Sequence, residues 1–231
     1  MLALVGSGEY LPAMEPVDRY LLDLLGSHPR VACLPTAAGS ESPERIRYWS
    51  DLGLEHFREL GARVESVPII DHHSANDPTL ASHLHGVDFI YMSGGNPGYL
   101  YTTLRDSLAW QEILAVHRSG GLVAGCSAGA MVMGEYLPSL PRSMRAFGLI
   151  QGAMIMPHLD EIPAIWLSLF RSIFARKKIL LGIEGNTALL VQTKQHTILG
   201  SGRVLFWHRQ KRVYFREGTQ IDSFPNLASN S

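Results

Sequence analysis

The chain has 231 residues, a length that suits one α/β domain. Hydrophobic residues make up 46% and charged residues 18%, which excludes a disordered chain. The net charge of −1 excludes a broadly basic protein that binds nucleic acid or a membrane surface. The two cysteines are too few for a disulfide framework. With no long apolar run and no basic leader, we expect a cytoplasmic protein with one domain over residues 1–225 and a frayed tail over residues 226–231.

Short apolar runs alternate with amphipathic segments through the first half of the chain. This alternation predicts strands at Leu2–Val5, Val31–Leu34, Val64–Ile69, Phe89–Met92 and Leu122–Ala124. Helices are predicted between them, at Met14–Leu25, Pro43–Leu60, Thr79–His85 and Leu100–Arg118, the last with a break near Arg105. Strands that alternate with helices predict a mainly parallel sheet flanked by helices.

The pattern changes after Gly134. A loop rich in Pro, Ser and Arg (Leu137–Arg145) and a helix at Ala164–Arg176 are predicted first. Short β-type segments follow, at Ile179–Ile183, Thr187–Gln192, Thr197–Leu199, Val204–Trp207 and Arg212–Phe215. Turn-forming residues between them predict antiparallel neighbours. The fold class is therefore α/β, with a β-rich, antiparallel C-terminal part.

Four loops rich in small residues follow predicted parallel strands. They are Gly6–Glu9, Pro35–Gly39, Ser93–Asn96 and Gly125–Gly129. In an open parallel sheet, ligands bind beyond the carboxyl ends of the strands. We therefore expect a functional site where these loops meet.

The fourth loop, Gly125-Cys126-Ser127-Ala128-Gly129, has the pattern G-x-S-x-G between a buried strand and a helix-like segment. This is the context of a nucleophile elbow, in which a strained turn exposes the serine hydroxyl. Ser127 is then the candidate nucleophile, with the N–H groups of Ala128 and Gly95 as candidate oxyanion-hole donors. The alternatives are a tight packing turn with a capping serine, and Cys126 as the nucleophile, although its side chain should point into the core.

A serine nucleophile needs a general base, normally a histidine. His158 is the leading candidate because it follows the strand-like run Gly152–Met156 and Pro157. His208, beside a strand end, is the alternative. Three other histidines with charged neighbours in helical segments are predicted to be solvated: His28, His56 and His117.

The base in turn needs an acid that orients it. Glu184 is the candidate because it directly follows the apolar strand Ile179–Ile183. A carboxylate at the end of a buried strand needs hydrogen-bond or charge partners, or it has a functional role. Glu135, Asp160 and Glu161 are rivals. We assign Asp160 and Glu161 to a helix N-terminus, where carboxylates interact favourably with the helix dipole.

A cluster of histidines and aspartates in the middle of the chain has the residue types of a metal site. It comprises Asp71, His72, His73, Asp77, His83 and His85. On a helix, residues i and i+2 face different sides, so His83 and His85 would not share one ion. We predict a solvated loop and no metal site.

Taken together, the motifs resemble one family of serine peptidases, that of the aspartyl dipeptidases (peptidase E) and cyanophycinases. The motifs are Gly6-Ser7-Gly8-Glu9, Leu34-Pro35-Thr36-Ala37, Ser93-Gly94-Gly95-Asn96, Gly125-Cys126-Ser127-Ala128-Gly129-Ala130, Pro157-His158 and Gly182-Ile183-Glu184-Gly185-Asn186-Thr187-Ala188. The resemblance implies a fold similar to class I glutamine amidotransferases, one catalytic domain, and no metal or organic cofactor.

The resemblance also implies roles for individual residues. By position, Ser127 matches the family's nucleophile, His158 its base, and Gly95 and Ala128 its oxyanion-hole donors. Glu184 resembles the third member of the cyanophycinase branch, while Pro157 before His158 is more like peptidase E. The chain therefore combines features of both branches.

The family implies a small peptide substrate, with N-terminal Asp-X dipeptides as the first choice. A substrate carboxylate needs a cation, and the candidate substrate-binding residues are Asn96, Arg142, Arg145 and Arg171. A cyanophycinase-like isopeptidase, an esterase using Ser127, Glu184 and His208, and a non-catalytic metabolite-binding homologue remain as alternatives. Four apolar residues either form the interface of a homodimer or pack within the domain: Phe206, Trp207, Val213 and Tyr214.

Overall fold

The computed structural model describes residues 1–139, 143–175, 178–193 and 195–221. The strands in these ranges are β1 Leu2–Val5, β2 Arg30–Leu34, β3 Arg63–Ser66, β4 Phe89–Met92, β5 Leu122–Cys126, β6 Gly134–Leu137, β7 Met144–Arg145, β8 Ile150–Met156, β9 Ile179–Ile183, β10 Thr187–Val191, β11 His196–Gly200, β12 Arg203–His208, β13 Lys211–Arg216 and β14 Gln220–Ile221. The α-helices are α1 Glu15–Asp23, α2 Pro43–Glu59, α3 His72–Ala75, α4 Pro78–Ser82, α5 Pro97–Leu104, α6 Leu108–Arg118, α7 Ala128–Met133 and α8 Ala164–Phe170.

The larger sheet has the strand order β14-β11-β10-β1-β5-β4-β2-β3. Five neighbouring strands are parallel: β1, β5, β4, β2 and β3. Next to β1, the strands β10, β11 and β14 form an antiparallel edge. Because the parallel strands share a direction, the loops after β1, β2, β4 and β5 meet at one edge. The predicted fold class, a mainly parallel sheet with helices and an antiparallel C-terminal part, is confirmed.

A second sheet has the order β13-β12-β9-β8-β6-β7. The chain passes between the two sheets at three places in its C-terminal part, from β9 to β10, from β11 to β12 and from β13 to β14. The sequence predicted β11 and β12 as antiparallel neighbours, and this is wrong. Gly200, with a φ of 91°, begins the turn that carries the chain across, and the N–H of Gly202 donates to the Thr187 hydroxyl at 2.8 Å.

Alternation along the strands divides the core into two faces of the larger sheet. Leu2 and Leu4 belong to the cluster that also covers the second sheet, while Ala3 and Val5 belong to the cluster under α1 and α2. Phe206, considered above as part of a dimer face, is 1% exposed and lies in the first cluster. The alternation of side chains along each strand therefore decides which side of the sheet each residue packs on.

Most predicted elements are present, with differences at their ends. The third strand ends at Ser66 rather than Ile69, because the N–H of Ile69 donates to the Val67 carbonyl at 2.8 Å and does not continue the ladder with β2. The predicted helix from Ala164 changes to π-type geometry over Arg171–Ala175. The predicted loop Leu137–Arg145 starts at the last residue of β6 and ends with β7, and these two strands pair antiparallel. No helix within the described ranges is both long and apolar enough to cross a membrane.

Candidate active site

Ser127 lies at a sharp turn between β5 and α7. Its φ of 49° and ψ of −108° lie outside the regions that a residue with a side chain ordinarily occupies. The turn is held by its own N–H, which donates to the Val5 carbonyl at 3.0 Å. A methyl group on Gly125 would lie 2.3 Å from the backbone of Gly129, so the first motif glycine is required by close approach. The sequence motif therefore forms the strained strand-to-helix turn of a nucleophile elbow.

His158 faces this serine from the end of the second sheet, just after β8. Its Nε2 lies 3.1 Å from Oγ of Ser127, within hydrogen-bond distance. On its other side, Nδ1 lies 3.0 Å from Oε1 of Glu161. The tautomer that donates Nδ1–H to Glu161 leaves Nε2 as the acceptor for the serine proton. The alternative base, His208, ends β12 and pairs in register with Lys211.

The carboxylate beside His158 is Glu161, not Glu184. Glu161 belongs to the 3-10 turn Leu159–Glu161, and its side chain is 66% exposed. The charge pattern predicts a helix N-terminus at this position, but the His-x-x-Glu spacing brings residues i and i+3 together in a single turn. Its neighbour Asp160 accepts a hydrogen bond from the N–H of Gly185 at 2.7 Å.

Glu184 is placed elsewhere, although it is as buried as expected, with 8% of its surface exposed. Its Oε2 accepts from the backbone N–H of Arg203 at 2.7 Å, and its Oε1 accepts from the guanidinium of the same residue at 2.6 and 2.8 Å. Both carboxylate oxygens therefore face Arg203. The sequence predicts that this carboxylate needs partners, but it does not identify Arg203 as the partner, because Arg203 lies on a different strand.

The two predicted oxyanion-hole donors lie on two different segments, Ala128 in the elbow and Gly95 in the loop after β4. Ala128 is the first residue of α7, so its N–H has no acceptor within the helix. Gly95 has a φ of 142°, and a methyl group there would lie 2.5 Å from the Ala37 carbonyl oxygen. Gly95 is exposed to solvent whereas its neighbour Gly94 is buried. The backbone at Gly95 therefore excludes a side chain.

Cys126 points away from solvent, as predicted from its place one residue before the apex. It is fully buried, and its Sγ donates to Oε2 of Glu9 at 2.8 Å. Burial, reinforced by the nearby Glu9 carboxylate, raises the pKa of the Cys126 thiol well above its ordinary value. Since the thiolate is the nucleophilic form of cysteine, Cys126 is unsuited to attack a substrate.

The predicted substrate-binding side chains have other contacts. Asn96 caps α5, since its Oδ1 accepts from the N–H of Tyr99 at 3.0 Å. Arg145 is ion-paired with Glu135 at 3.2 Å. Arg171 stacks on Trp207 at 4.5 Å and donates to the Arg209 carbonyl. Arg142 lies outside the described residues.

The histidine and aspartate cluster is divided among separate contacts. His72 Nδ1 lies 3.0 Å from the Thr103 carbonyl, and His83 Nδ1 lies 2.8 Å from Glu65. Asp71 and Asp77 cap the N-termini of α3 and α4. In the part of the chain that the structure describes, no three side chains of the metal-binding types come together.

His56, which the sequence analysis predicted to be solvated, is buried, with 8% of its surface exposed. Its Nε2 lies 2.8 Å from Asp18, a carboxylate that is completely buried. The helical spacing of α2 puts His56 on the same face as Phe57, toward the sheet. The charged residues next to it in the sequence lie on the opposite face, which is why the prediction was wrong.

A mainly parallel sheet with a serine at an elbow, and a histidine within hydrogen-bond distance of its hydroxyl, is the arrangement found in α/β hydrolytic enzymes that use a serine nucleophile. The chain belongs to peptidase family S51, whose family model matches residues 2–199. This confirms the resemblance seen in the sequence motifs, and the chain is a member of a serine peptidase family.

Individual relatives agree with this assignment. The crystal structure of a peptidase from an acI-B1 Actinobacterium is 33% identical, with a TM-score of 0.87 over 96% of both chains. The crystal structure of a putative peptidase E protein from Listeria monocytogenes shares the fold at 20% identity, with a TM-score of 0.63 over 93% of this chain and 97% of that one. An uncharacterized peptidase of Listeria monocytogenes is 24% identical over 182 residues, or 71% of this chain and 83% of the relative.

Proposed function

We infer that this chain hydrolyses short peptides through an acyl-enzyme formed on Ser127. The observation that carries this inference is the 3.1 Å contact between His158 Nε2 and Ser127 Oγ, made at an elbow whose backbone is strained. Strained backbone persists where the surrounding structure holds it, and such sites are often functional. Membership of a serine peptidase family supports the same reaction.

In the proposed mechanism, Ser127 attacks the peptide carbonyl while His158 Nε2 takes the hydroxyl proton. The N–H groups of Ala128 and Gly95 donate to the oxygen that becomes negative in the tetrahedral intermediate. His158 then returns its proton to the leaving amine, and a water molecule hydrolyses the acyl-enzyme by the same steps in reverse order. One oxyanion donor of this kind contributes roughly 3–4 kcal/mol to transition-state stabilisation.

Glu161 is the group that orients the base in this proposal. Its contact with Nδ1 selects the tautomer of His158 that can accept a proton at Nε2. Because the side chain of Glu161 is 66% exposed, water screens its charge, and it stabilises the imidazolium less than a buried carboxylate would. Glu184, bound to Arg203, has a structural role in this arrangement.

The narrower proposal is a dipeptidase that prefers Asp-X substrates, in which a cation would bind the aspartate carboxylate. Among the described candidates, Arg145 can be released from its partner at the smallest cost. Its side chain is 77% exposed, and after its release Glu135 would keep the hydrogen bond that it accepts from the N–H of Gly152 at 2.8 Å. Arg171 would have to leave both Trp207 and the Arg209 carbonyl.

The proposal is tested by incubating the purified protein with a panel of substrates and following the products by mass spectrometry. The panel contains Asp-X dipeptides, longer peptides, a β-Asp-Arg isopeptide polymer and a p-nitrophenyl ester. We expect cleavage of short peptides by the wild type and none by Ser127→Ala. Ser107→Ala is the matched control, because it removes the capping hydroxyl of α6 and should retain activity.

Each outcome of the panel has a stated meaning. Serine-dependent cleavage confined to Asp-X would support the dipeptidase, and a loss of that preference in Arg145→Ala would identify the cation. Cleavage of the polymer would support an isopeptidase, and cleavage of the ester alone would support an esterase. Peptide cleavage that persists in Ser127→Ala would contradict the mechanism.

A further inference from the structure

Glu9 is a buried carboxylate that bridges two loops of the site. It follows β1, and 8% of its surface is exposed. Its Oε1 accepts from the N–H of Gly94 at 2.9 Å, and its Oε2 accepts from Sγ of Cys126 at 2.8 Å. Gly94 belongs to the loop after β4, and Cys126 is the last residue of β5. One side chain therefore joins the glycine loop to the nucleophile elbow.

The peptide groups of the glycine loop are held on both sides of Gly95. The N–H of Gly94 is bound to Glu9, and the N–H of Asn96 donates to the Ala37 carbonyl at 2.9 Å. The hydroxyl of Ser93, one residue earlier, donates to the Leu34 carbonyl at 3.1 Å. These contacts fix the direction of the intervening N–H of Gly95, the donor assigned above to the oxyanion.

We propose that Glu9 is a positioning residue that sets the separation between the two oxyanion donors, the N–H groups of Gly95 and Ala128. Glu9 binds one residue before Gly95 and two residues before Ala128, so it spans the two halves of the oxyanion hole. The proposal rests on the proposed function of Ser127 and adds a residue to which the sequence analysis gave no role.

A carboxylate suits this place because both of its partners are donors. The N–H of Gly94 cannot accept a hydrogen bond, and the Cys126 thiol stays protonated because burial, together with Glu9 itself, raises its pKa. A glutamine of the same shape could accept from Gly94, but it would turn an NH₂ group toward Cys126. The bridge would then lose its contact with the elbow.

The packing transmits any movement of Glu9 to the nucleophile. A methyl group on Gly94 would lie 2.6 Å from Glu9 Oε1 and 3.4 Å from Cβ of Ser127, so Gly94 fits closely between the carboxylate and the serine. Catalytic groups are sensitive to small displacements, and a misplacement of about 1 Å can cost about 100-fold in rate. A loosened bridge should therefore slow the reaction without preventing substrate binding.

The test compares the wild type with Glu9→Gln in two measurements. The first is the rate at which a fluorophosphonate labels Ser127, measured by mass spectrometry. This reagent probes the nucleophile and the oxyanion hole whatever the peptide specificity of the protein is. The second is kcat and KM on whichever peptide the wild type cleaves. We expect Glu9→Gln to lower both the labelling rate and kcat by about 10- to 100-fold, with KM changed by less than about 3-fold.

Two controls separate positioning from a general loss of stability. Asp18→Asn alters another buried carboxylate, one that pairs with His56, and it should lower the melting temperature without slowing the labelling. Cys126→Ala removes the donor on the elbow side and should slow the labelling, while Cys126→Ser keeps a donor and should return most of the rate. The two Cys126 variants also test the contact between Glu9 and the elbow if Glu9→Gln does not fold.

The outcomes distinguish this proposal from the proposed function. Labelling of folded Glu9→Gln within about 3-fold of the wild-type rate would overturn the role of Glu9 while leaving Ser127 as the nucleophile. The same conclusion would follow if Cys126→Ala and Cys126→Ser were labelled equally fast. A folded wild type that is not labelled at Ser127 would overturn the proposed function, and the role of Glu9 with it.

Discussion

His158 Nε2 lies 3.1 Å from the hydroxyl of Ser127, and both residues have positive φ angles, 53° and 49°. They are 31 residues apart and belong to different sheets, Ser127 after β5 of the larger sheet and His158 after β8 of the second. Residues with side chains seldom adopt such backbone conformations unless the fold holds them. The two sheets thus place the Ser127 hydroxyl and the His158 imidazole together before any substrate is present.

The two candidate acids can be separated by substitution. Glu161→Gln should lower kcat about 10-fold, far less than the roughly 10⁴-fold loss seen for a buried triad aspartate, because Glu161 is exposed to water. Glu184→Gln should leave kcat unchanged and lower the free energy of unfolding by about 1–3 kcal/mol, because it weakens charge-assisted hydrogen bonds with Arg203. The measurements are steady-state kinetics and urea unfolding of both variants.

The opposite pattern would reverse the assignment. If Glu184→Gln lost activity at unchanged stability while Glu161→Gln kept it, the acid predicted from the sequence would be the functional one. His158 would then have to turn away from Glu161 during the reaction. A structure with a bound phosphonate would show that rotation directly.

Gly95→Ala should lower both activity and stability. The φ of 142° disfavours a side chain, and the new methyl group would lie 2.5 Å from the carbonyl oxygen of Ala37, a backbone atom that cannot move aside cheaply. We expect kcat to fall on the order of 100-fold as the oxyanion donor shifts, and the free energy of unfolding to fall by about 1–3 kcal/mol. Kinetics and thermal unfolding check the two effects.

Gly61→Ala is the matched control for that substitution. Gly61 also has a positive φ, 87°, but a methyl group there meets nothing within 4 Å. It should cost about 1–2 kcal/mol of stability from the backbone alone and leave kcat unchanged. Equal kinetic effects of the two substitutions would mean that the contact with Ala37 does not position the donor.

The positions of the parallel strands along the chain and the turn at the elbow were predictable because both depend on local pattern. Apolar runs between amphipathic segments predicted the parallel strands, and the five residues from Gly125 to Gly129 predicted the turn that they form. His158 was predictable because it follows a strand-like run directly. Each of these features depends on a few consecutive residues.

Features that depend on contacts between distant segments were not predictable. The partner of Glu184 is Arg203, 19 residues later, and the partner of Glu9 is Gly94, 85 residues later. No spacing rule links such pairs, because the sheet order that brings them together arises only from the complete fold. Glu161 could have been recognised from its place three residues after His158, but the charge pattern suggested a helix N-terminus instead.

Both cysteines should be unreactive in the folded protein. Burial raises the pKa of the Cys33 thiol to about 12 and that of Cys126 well above its ordinary value, so neither forms the reactive thiolate near neutral pH. Iodoacetamide at pH 8 should therefore add nothing to the native chain and two groups after unfolding in urea, as measured by intact mass. Rapid alkylation of native Cys126 with loss of activity would instead support Cys126 as the nucleophile.

The stability of the fold should decrease on acidification, in part through His196. This residue begins β11 with 9% of its surface exposed, and burial lowers its pKa from the ordinary value of 6.5. As the pH falls through 6.5, the unfolded chain binds a proton that the folded chain still resists, so the free energy of unfolding falls. The stabilisation is thus complete above the unfolded pKa and is lost as the pH falls toward the folded pKa.

His117 adds to the same slope, because burial, followed by the nearby ammonium group of Met1, lowers its pKa as well. Urea unfolding at pH 7.5 and pH 5.5 should show a smaller loss of stability in His196→Gln than in the wild type. One histidine can contribute at most about 1.4 kcal/mol per pH unit, which sets the largest difference to expect. An identical loss in both proteins would show that His196 is protonated as readily in the folded chain as in the unfolded one, and that the slope arises at His117 or other groups.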